Sequence, residues 1–527
     1  MAEIDFQKRT DTSVKGVKGR FKARWHNLAL SLALYDKQVS RLFSYCGKSA
    51  SNRILRGTLI LCCSLLCFSS FAEGDSVSIH SEHTTLQSGH SPASTPEPWS
   101  VIPFVLLLVM IATGPLFYSH FWHKNYPAIA MGLGAFIVIY YLFVLNDQHH
   151  PVHTLVEYIS FISLLTALFA ASGGILISVD KRGTPFVNCV LLLIGAVIAN
   201  VIGTTGASML LIRPFIRLNK ERIKPYHIVF FIFIVSNVGG SLTPIGDPPL
   251  FLGFLKGVPF FWTLEHLLGE WLLGIGALLV IFYLFDNKNY SGSTSGEIHS
   301  GEIRVYGLKN LIWLAVTIGA VFLDPGIFTW LPYIPYHGDK LSFIRETVML
   351  VTAFVAYRTA DKSCLDGNGF NFEPIKEVAF IFIGIFGTMM PALQLISAFA
   401  KDHAADVSKN TLYWASGLLS SVLDNAPTYL NFLSAGLGGA GLDIMSKTDV
   451  AMFANSPDTV EELAAISIAC VFFGACTYIG NAPNFMVKSI AEQSGVEMPS
   501  FAGYVIRYTI PFLLPVLLLT WLVFILM

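Results

Sequence analysis

Ser241-Leu242-Thr243-Pro244-Ile245-Gly246-Asp247-Pro248-Pro249 interrupts an apolar stretch that runs from residue 226 to 255. Ala475-Cys476-Thr477-Tyr478-Ile479-Gly480-Asn481-Ala482-Pro483 interrupts another, 463–490, and repeats Thr, Ile, Gly, Asp/Asn and Pro at the same spacing. Glycine and proline stop a helix, which frees carbonyls at one end of the gap and amide donors at the other. A further pair of motifs precedes these in the same order. They are Ala199-Asn200-Val201-Ile202-Gly203-Thr204-Thr205-Gly206-Ala207-Ser208 and Ser420-Ser421-Val422-Leu423-Asp424-Asn425-Ala426-Pro427-Thr428-Tyr429. Two matched pairs in one order indicate a duplicated unit built around interrupted helices.

The composition says which solvent surrounds those interruptions. The 527 residues are 53% hydrophobic and only 13% charged, with a mean hydropathy of +0.59. A soluble domain carries roughly 25% charge, so a soluble enzyme, a disordered scaffold and a disulfide-stapled secreted domain are excluded for the whole chain. Long continuous apolar runs, without the alternation of a transmembrane barrel, leave a polytopic helical membrane protein. The eight cysteines show no metal-ligand spacing and read as small buried apolar residues.

Charge is uneven along the chain. Residues 1–56 hold twelve Lys/Arg against four Asp/Glu, although the whole chain is near neutral. Arg53 and Arg56 precede the apolar core Thr58–Phe68, and small residues surround Ser70-Phe71-Ala72 ahead of Glu73. This is the three-part pattern of a signal peptide with a basic extension in front of it; the alternative is an uncleaved anchor that follows a cytoplasmic extension. The expected divisions are a basic extension (1–52), a signal-like segment (53–72), a polar external linker (73–98), a first membrane half (99–286), a cytoplasmic linker (287–307) and a second membrane half (308–527).

About twenty residues at 1.5 Å rise cross a 30 Å hydrocarbon core. Windows 99–119, 126–145, 154–178, 267–286, 308–323, 342–358, 376–399 and 503–526 reach or approach that length, and 226–255 and 463–490 are broken spans. Windows 186–212 and 410–436 break at a polar motif and read as hairpins. Cytoplasmic loops should carry the Lys and Arg. Lys181 and Arg182 precede the first hairpin, and Arg213, Arg217, Lys220, Arg222 and Lys224 follow it. Both loops fall on one side only if 186–212 enters and leaves by the same face. With 287–307 and 358–376 inside, the second hairpin opens outward. The expected fold class is therefore an all-α polytopic membrane protein of about ten transmembrane helices plus two re-entrant hairpins in an inverted-topology repeat, an architecture of transporters.

Asp247 and Asp424 are the sharpest site candidates, because an ionisable residue at mid-membrane is costly and marks function by default. A carboxylate there can trade a proton for a cation, since burial favours the protonated form and a bound cation the ionised one. The plainer reading is that each caps a half-helix. Thr204, Thr205, Thr243, Asn425, Thr477 and Asn481 supply further oxygens for a hard cation, although small hydroxyl residues also serve plain helix packing. The helix breaks are assigned to Gly203, Gly206, Gly246, Pro248, Pro249, Pro427, Gly480 and Pro483. Glu157, Glu270, Glu346 and Arg345 near helix ends, and the histidines at 120, 123, 149, 150 and 153, read as interfacial or structural.

At these motifs the chain resembles the ion transporter superfamily, in the branch of sodium/proton antiporters, arsenite permeases and citrate transporter-like proteins. The resemblance is carried by Ile202–Ser208 with Arg213-Pro214, Ser236-Asn237, Thr243–Pro249, Asp424–Pro427 and Gly480–Pro483, and covers roughly residues 99–527. It implies a scaffold portion and a transport portion, often in a homodimer, working by alternating access. Relatives keep neutral Ser-Asn-Thr-type tips for sodium, whereas one tip here carries a carboxylate, Asp424. The expected function is sodium/proton antiport across a bacterial inner membrane, with no cofactor and with sodium held at the residues above. The alternative is a citrate-type carboxylate carrier of the same fold, which would need positive donors at the midplane, and no Arg or Lys sits in the breaks. A membrane-embedded protease has no use for the repeat, and a passive channel would conduct without coupling.

Overall fold

The structure is a computed structural model that describes residues 95–179, 183–290, 303–336 and 339–526. The expected basic extension, the signal-like segment, residues 73–94 of the linker and the loop cations Lys181 and Arg182 lie outside the described residues. The membrane region opens with α1 (Ile102–Phe117), α2 (Ser119–Phe143) and α3 (His149–Gly173). Strand β1 (Leu176–Val179) follows, then α4 (Pro185–Leu218), α5 (Pro225–Ile234), α6 (Pro248–Lys256) and α7 (Trp262–Lys288). The second half contains β2 (Ile303–Tyr306), α8 (Lys309–Val321), the pair β3 (Ile334–Tyr336) and β4 (Asp339–Leu341), α9 (Ile344–Thr359), α10 (Lys362–Asn368) and α11 (Glu373–Asp402). It ends with α12 (Lys409–Ser420), α13 (Asn425–Gly439), α14 (Lys447–Asn455), α15 (Val460–Phe473), α16 (Ala482–Gln493) and the long helix α17 (Phe501–Leu526).

Among the described residues, eight helices are long and apolar enough to cross a membrane. The number is nine if the pair Lys447–Asn455 and Val460–Cys476, bent by 97°, counts as one span. The chain is thus an all-α multi-pass membrane protein, with two short antiparallel strand pairs, β1·β2 and β3·β4. About ten spans are expected from the sequence, and eight or nine among the described residues meet the length and hydropathy of a span. Windows 308–323 and 342–358 form helices of 13 and 16 residues, about 20 and 24 Å long at 1.5 Å per residue, short of the ~30 Å core. Window 154–178 also divides: α3 ends at Gly173-Gly174, and Leu176–Val179 pairs with Ile303–Tyr306.

Burial sorts the helices. The span containing α5 is 94% buried, whereas those of α1, α2 and α17 are 33% buried. A helix apolar on every side belongs in the protein interior, and α5 is one, with Tyr226 through Ile234 all buried. The outer surface carries Phe143, Phe186, Leu284, Phe354 and Ile506 exposed, a face suited to lipid. Between α2 and α11 close approach replaces bulk. A Cβ on Gly384 would lie 2.7 Å from the Cβ of Ala130, and one on Gly387 2.9 Å from the Cα of Gly134, the small-residue packing typical of membrane helices.

Helix α4 decides how the centre is built. Its 34 residues would extend about 51 Å as a straight helix. Its ends nevertheless meet: the Gly183 N–H donates to the Leu218 carbonyl at 2.9 Å, and the side chains of Asn188 and Asn219 exchange hydrogen bonds of 2.9 and 2.8 Å. The fold-back is at Gly203, whose φ of 80° and ψ of 154° lie where a side chain is strained. Asp286, fully buried, ties the base of this hairpin by accepting from Asn188 (3.1 Å), Tyr226 (2.6 Å) and Arg222. Helices α12 and α13 form the matching hairpin, which turns at Ser421–Asp424. Its return brings Gly439 against Val407, where an added Cβ would meet Val407 Cβ at 3.1 Å.

Candidate functional site

The gaps between α5 and α6 and between α15 and α16 are built alike, each around a threonine. The Thr243 hydroxyl donates to the Asn200 carbonyl at 2.6 Å and accepts the Gly246 N–H at 3.1 Å. The Thr477 hydroxyl donates to the Ser421 carbonyl at 2.6 Å and accepts the Gly480 N–H at 3.2 Å. Each gap also binds its hairpin tip through backbone: Thr204 N–H to the Gly246 carbonyl at 2.8 Å, and Asn425 N–H to the Gly480 carbonyl at 3.2 Å. These bonds pair the same positions as the repeated motifs. Thr243 and Thr477 thus tie backbone together and do not line the central cavity.

Asp247 is fully buried, and its carboxylate reaches both hairpin tips. One oxygen accepts from the Thr204 hydroxyl at 2.7 Å and the Asn481 amide at 3.0 Å, and the other accepts from the Asn425 amide at 2.6 Å. It does not cap α6, the helix it precedes. Asp424 is half-buried and does cap its own helix, accepting the Ala426 N–H at 3.0 Å, which is the plainer of the two readings open to it. The Asn425 Oδ1 is buried without a hydrogen-bond partner, so an unused acceptor oxygen sits on the side chain that touches Asp247. A ladder of amides joins the two gaps: Asn237 donates to Asn484 at 2.7 Å, and Asn481 to Asn237 at 3.2 Å.

A cavity of about 440 Å³ opens on this centre. Gly203, Thr204, Thr205, Asp247, Asp424 and Asn481 line it at one end. Arg213, Asn371, Ser489 and Gln493 line it elsewhere. Four helical segments begin at the site: the return arm of α4 at Thr204, then α6 at Pro248, α13 at Asn425 and α16 at Ala482. Proline at the first or second position of α6 and α16 suits a helix start, and Pro427 lies in the first turn of α13. Gly206 differs from its expected role as a breaker, because it lies within the helical return arm and Gly203 alone carries the turn.

Sequence reasoning missed three features. Arg213 counted as a loop cation but lines the cavity; its place in an apolar run ahead of Pro214 was the available signal. Lys256, at the end of α6, is buried against Glu157 at 2.8 Å. Asn200 is buried, and its side chain donates to the Gly239 carbonyl at 2.6 Å and accepts the Leu242 N–H at 2.8 Å. Glu346, one of the weaker candidates, is held by Arg345 at 2.9 Å and by the Ser160 hydroxyl at 2.5 Å.

Interrupted helices meeting at a buried carboxylate beside a cavity define a multi-pass membrane protein of the transporter class. The family described as "Putative citrate transport" matches residues 93–525, and the chain belongs to this family, part of the ion transporter superfamily. It is a family of membrane transporters and not of enzymes. No curated protein matches the chain.

Proposed function

We propose that the protein is a secondary active transporter that carries a citrate-class carboxylate together with a cation through the central cavity. The observation that carries this reading is the convergence of four helix N-termini on one cavity of about 440 Å³. Helix N-termini carry partial positive charge that favours an anion, and this stands in for the cationic side chains missing from the breaks. The volume suits a small organic molecule and is generous for a bare ion. Asp247, Asp424 and the unused Asn425 oxygen supply the complementary cation subsite, with Thr204, Thr205 and Asn481 around it. Family membership supports the same substrate class.

In this reading the two hairpins are re-entrant, enter from opposite faces and form an inverted-topology repeat that works by alternating access. By the excess of Lys and Arg at 213–224, the Arg213 side of the cavity faces the cytoplasm. The membrane is the inner membrane of a bacterium. Exchange of sodium for protons without an organic substrate is the second reading, and the presence of both Asp247 and Asp424 on one cavity favours it.

Purified full-length chain in proteoliposomes separates them. Citrate uptake that rises with an inward sodium or proton gradient is the expected result. Sodium-evoked proton release that is unaffected by citrate, with no citrate accumulation, would overturn the carboxylate reading in favour of antiport.

A further inference from the structure

Other largely buried cations of the protein are neutralised. Lys256 pairs with Glu157 at 2.8 Å, Arg345 with Glu346 at 2.9 Å, and Arg222 with Asp286. Arg213 is different. It lines the cavity, its Nη1 is buried without a hydrogen-bond partner, and no carboxylate forms an ion pair with it among the described residues. The charged neighbour that acts on it is another cation, Arg217. Glu373 and Glu377 line the same cavity, but Glu373 lies 3.5 Å from Lys376 instead. Room is kept beside the guanidinium by Gly369, at φ 56°, where an added Cβ would lie 2.9 Å from Nη2.

A guanidinium partly withdrawn from water with a free N–H is costly unless something anionic meets it. Its planar fork matches a carboxylate with two parallel hydrogen bonds. We propose that Arg213 is a carboxylate-binding subsite on the substrate's path, separate from the centre at Asp247. The proposal deepens the transport reading above and rests on it for the substrate class. Nine residues of helix separate Thr204 from Arg213, about 13 Å of rise, so one small carboxylate does not bridge the two. Arg213 therefore holds the anion on the cytoplasmic side of the helix N-termini, as a capture and release point.

The test uses purified full-length protein with citrate and, separately, inorganic phosphate as probes. Arg213→Gln is expected to weaken citrate binding roughly 10- to 100-fold, the loss of a bidentate charge-assisted contact. Arg213→Lys keeps the charge without the fork and should recover part of the affinity. It also controls for misfolding, together with an unchanged melting temperature. In vesicles of defined orientation the Arg213→Gln substitution should raise the KM for citrate at the Arg213 side and leave the KM at the opposite side unaltered. Equal citrate affinity in Arg213→Gln and the unsubstituted protein overturns the subsite, as does binding of phosphate but not citrate. If citrate binds in an Arg213-dependent way yet is never transported, the subsite stands and the carboxylate-transport reading falls.

Discussion

Replacing Asp247 by Asn removes the charge at the centre and leaves the shape. The carboxylate accepts three hydrogen bonds, from Thr204, Asn425 and Asn481. Bonds to a charged acceptor contribute about 1.5–3 kcal/mol each, and neutral ones about 0.5–1.5, so neutralisation loses roughly 3 kcal/mol over the three. An amide also turns an N–H₂ toward one of the donors. Asn425 can accommodate this by rotating its side-chain amide, because its Oδ1 is buried and unpartnered. Opposing the loss, an ionised group that is fully buried no longer bears its desolvation penalty, which is several kcal/mol. The terms nearly offset, and the melting temperature of Asp247→Asn should move by only a few degrees.

Cation binding behaves differently. A unit charge about 4 Å from a cation at an effective dielectric near 20 contributes about 4 kcal/mol, so its removal weakens cation affinity roughly a thousandfold. The assay is paired: melting of detergent-purified protein, and substrate uptake as a function of sodium concentration at fixed pH. The expected outcome is a folded protein whose uptake no longer depends on the cation. Unchanged cation dependence in a folded Asp247→Asn protein would refute the assignment of Asp247 to the cation.

Asp424 separates capping from charge. Asparagine caps as well as aspartate, so Asp424→Asn should keep stability, and reduced cation dependence in uptake assays would show that the charge is used. Asp424→Ala should cost about 1 kcal/mol through the lost bond to the Ala426 N–H, read as a lower melting temperature. Gly203→Ala puts a Cβ on a residue at φ 80°, 3.3 Å from the Ile245 carbonyl oxygen, and should cost about 1–3 kcal/mol, with loss of uptake because the tip must hold Thr204 on Asp247. Lys256→Met leaves the buried Glu157 without its 2.8 Å partner and should cost about 3–5 kcal/mol. Adding Glu157→Gln should restore most of it in a double-mutant cycle of melting temperatures.

Much of the centre is legible in the amino-acid sequence. The matched spacing of Thr243–Pro249 and Thr477–Pro483 reads directly as two equivalent helix gaps, because a gap needs its glycine, its prolines and a local hydroxyl within a few residues. The hairpin at 186–212 followed from charge, since cations on both sides of it cannot straddle the bilayer. Other features were hidden. Thr243 and Thr477 read as cation ligands, whereas in the fold their hydroxyls donate to the Asn200 and Ser421 carbonyls and hold the gaps to the hairpins. The windows 308–323 and 342–358 were apolar enough to suggest spans, yet hydropathy does not say where a helix ends.

The amino-acid order alone determined the solvent, the existence of two interrupted units and their pairing, because these depend on local composition and on which residues a helix tolerates. Only the tertiary structure decided which polar atoms remain unused. Asp247 meets Asn425 across 178 positions of chain, Lys256 is neutralised by Glu157 on another helix, and Arg213 stays without a hydrogen-bond partner on its Nη1. Hydrogen bonding and ion pairing saturate, so whether a group is free to hold a ligand depends on what else in the folded chain has reached it first.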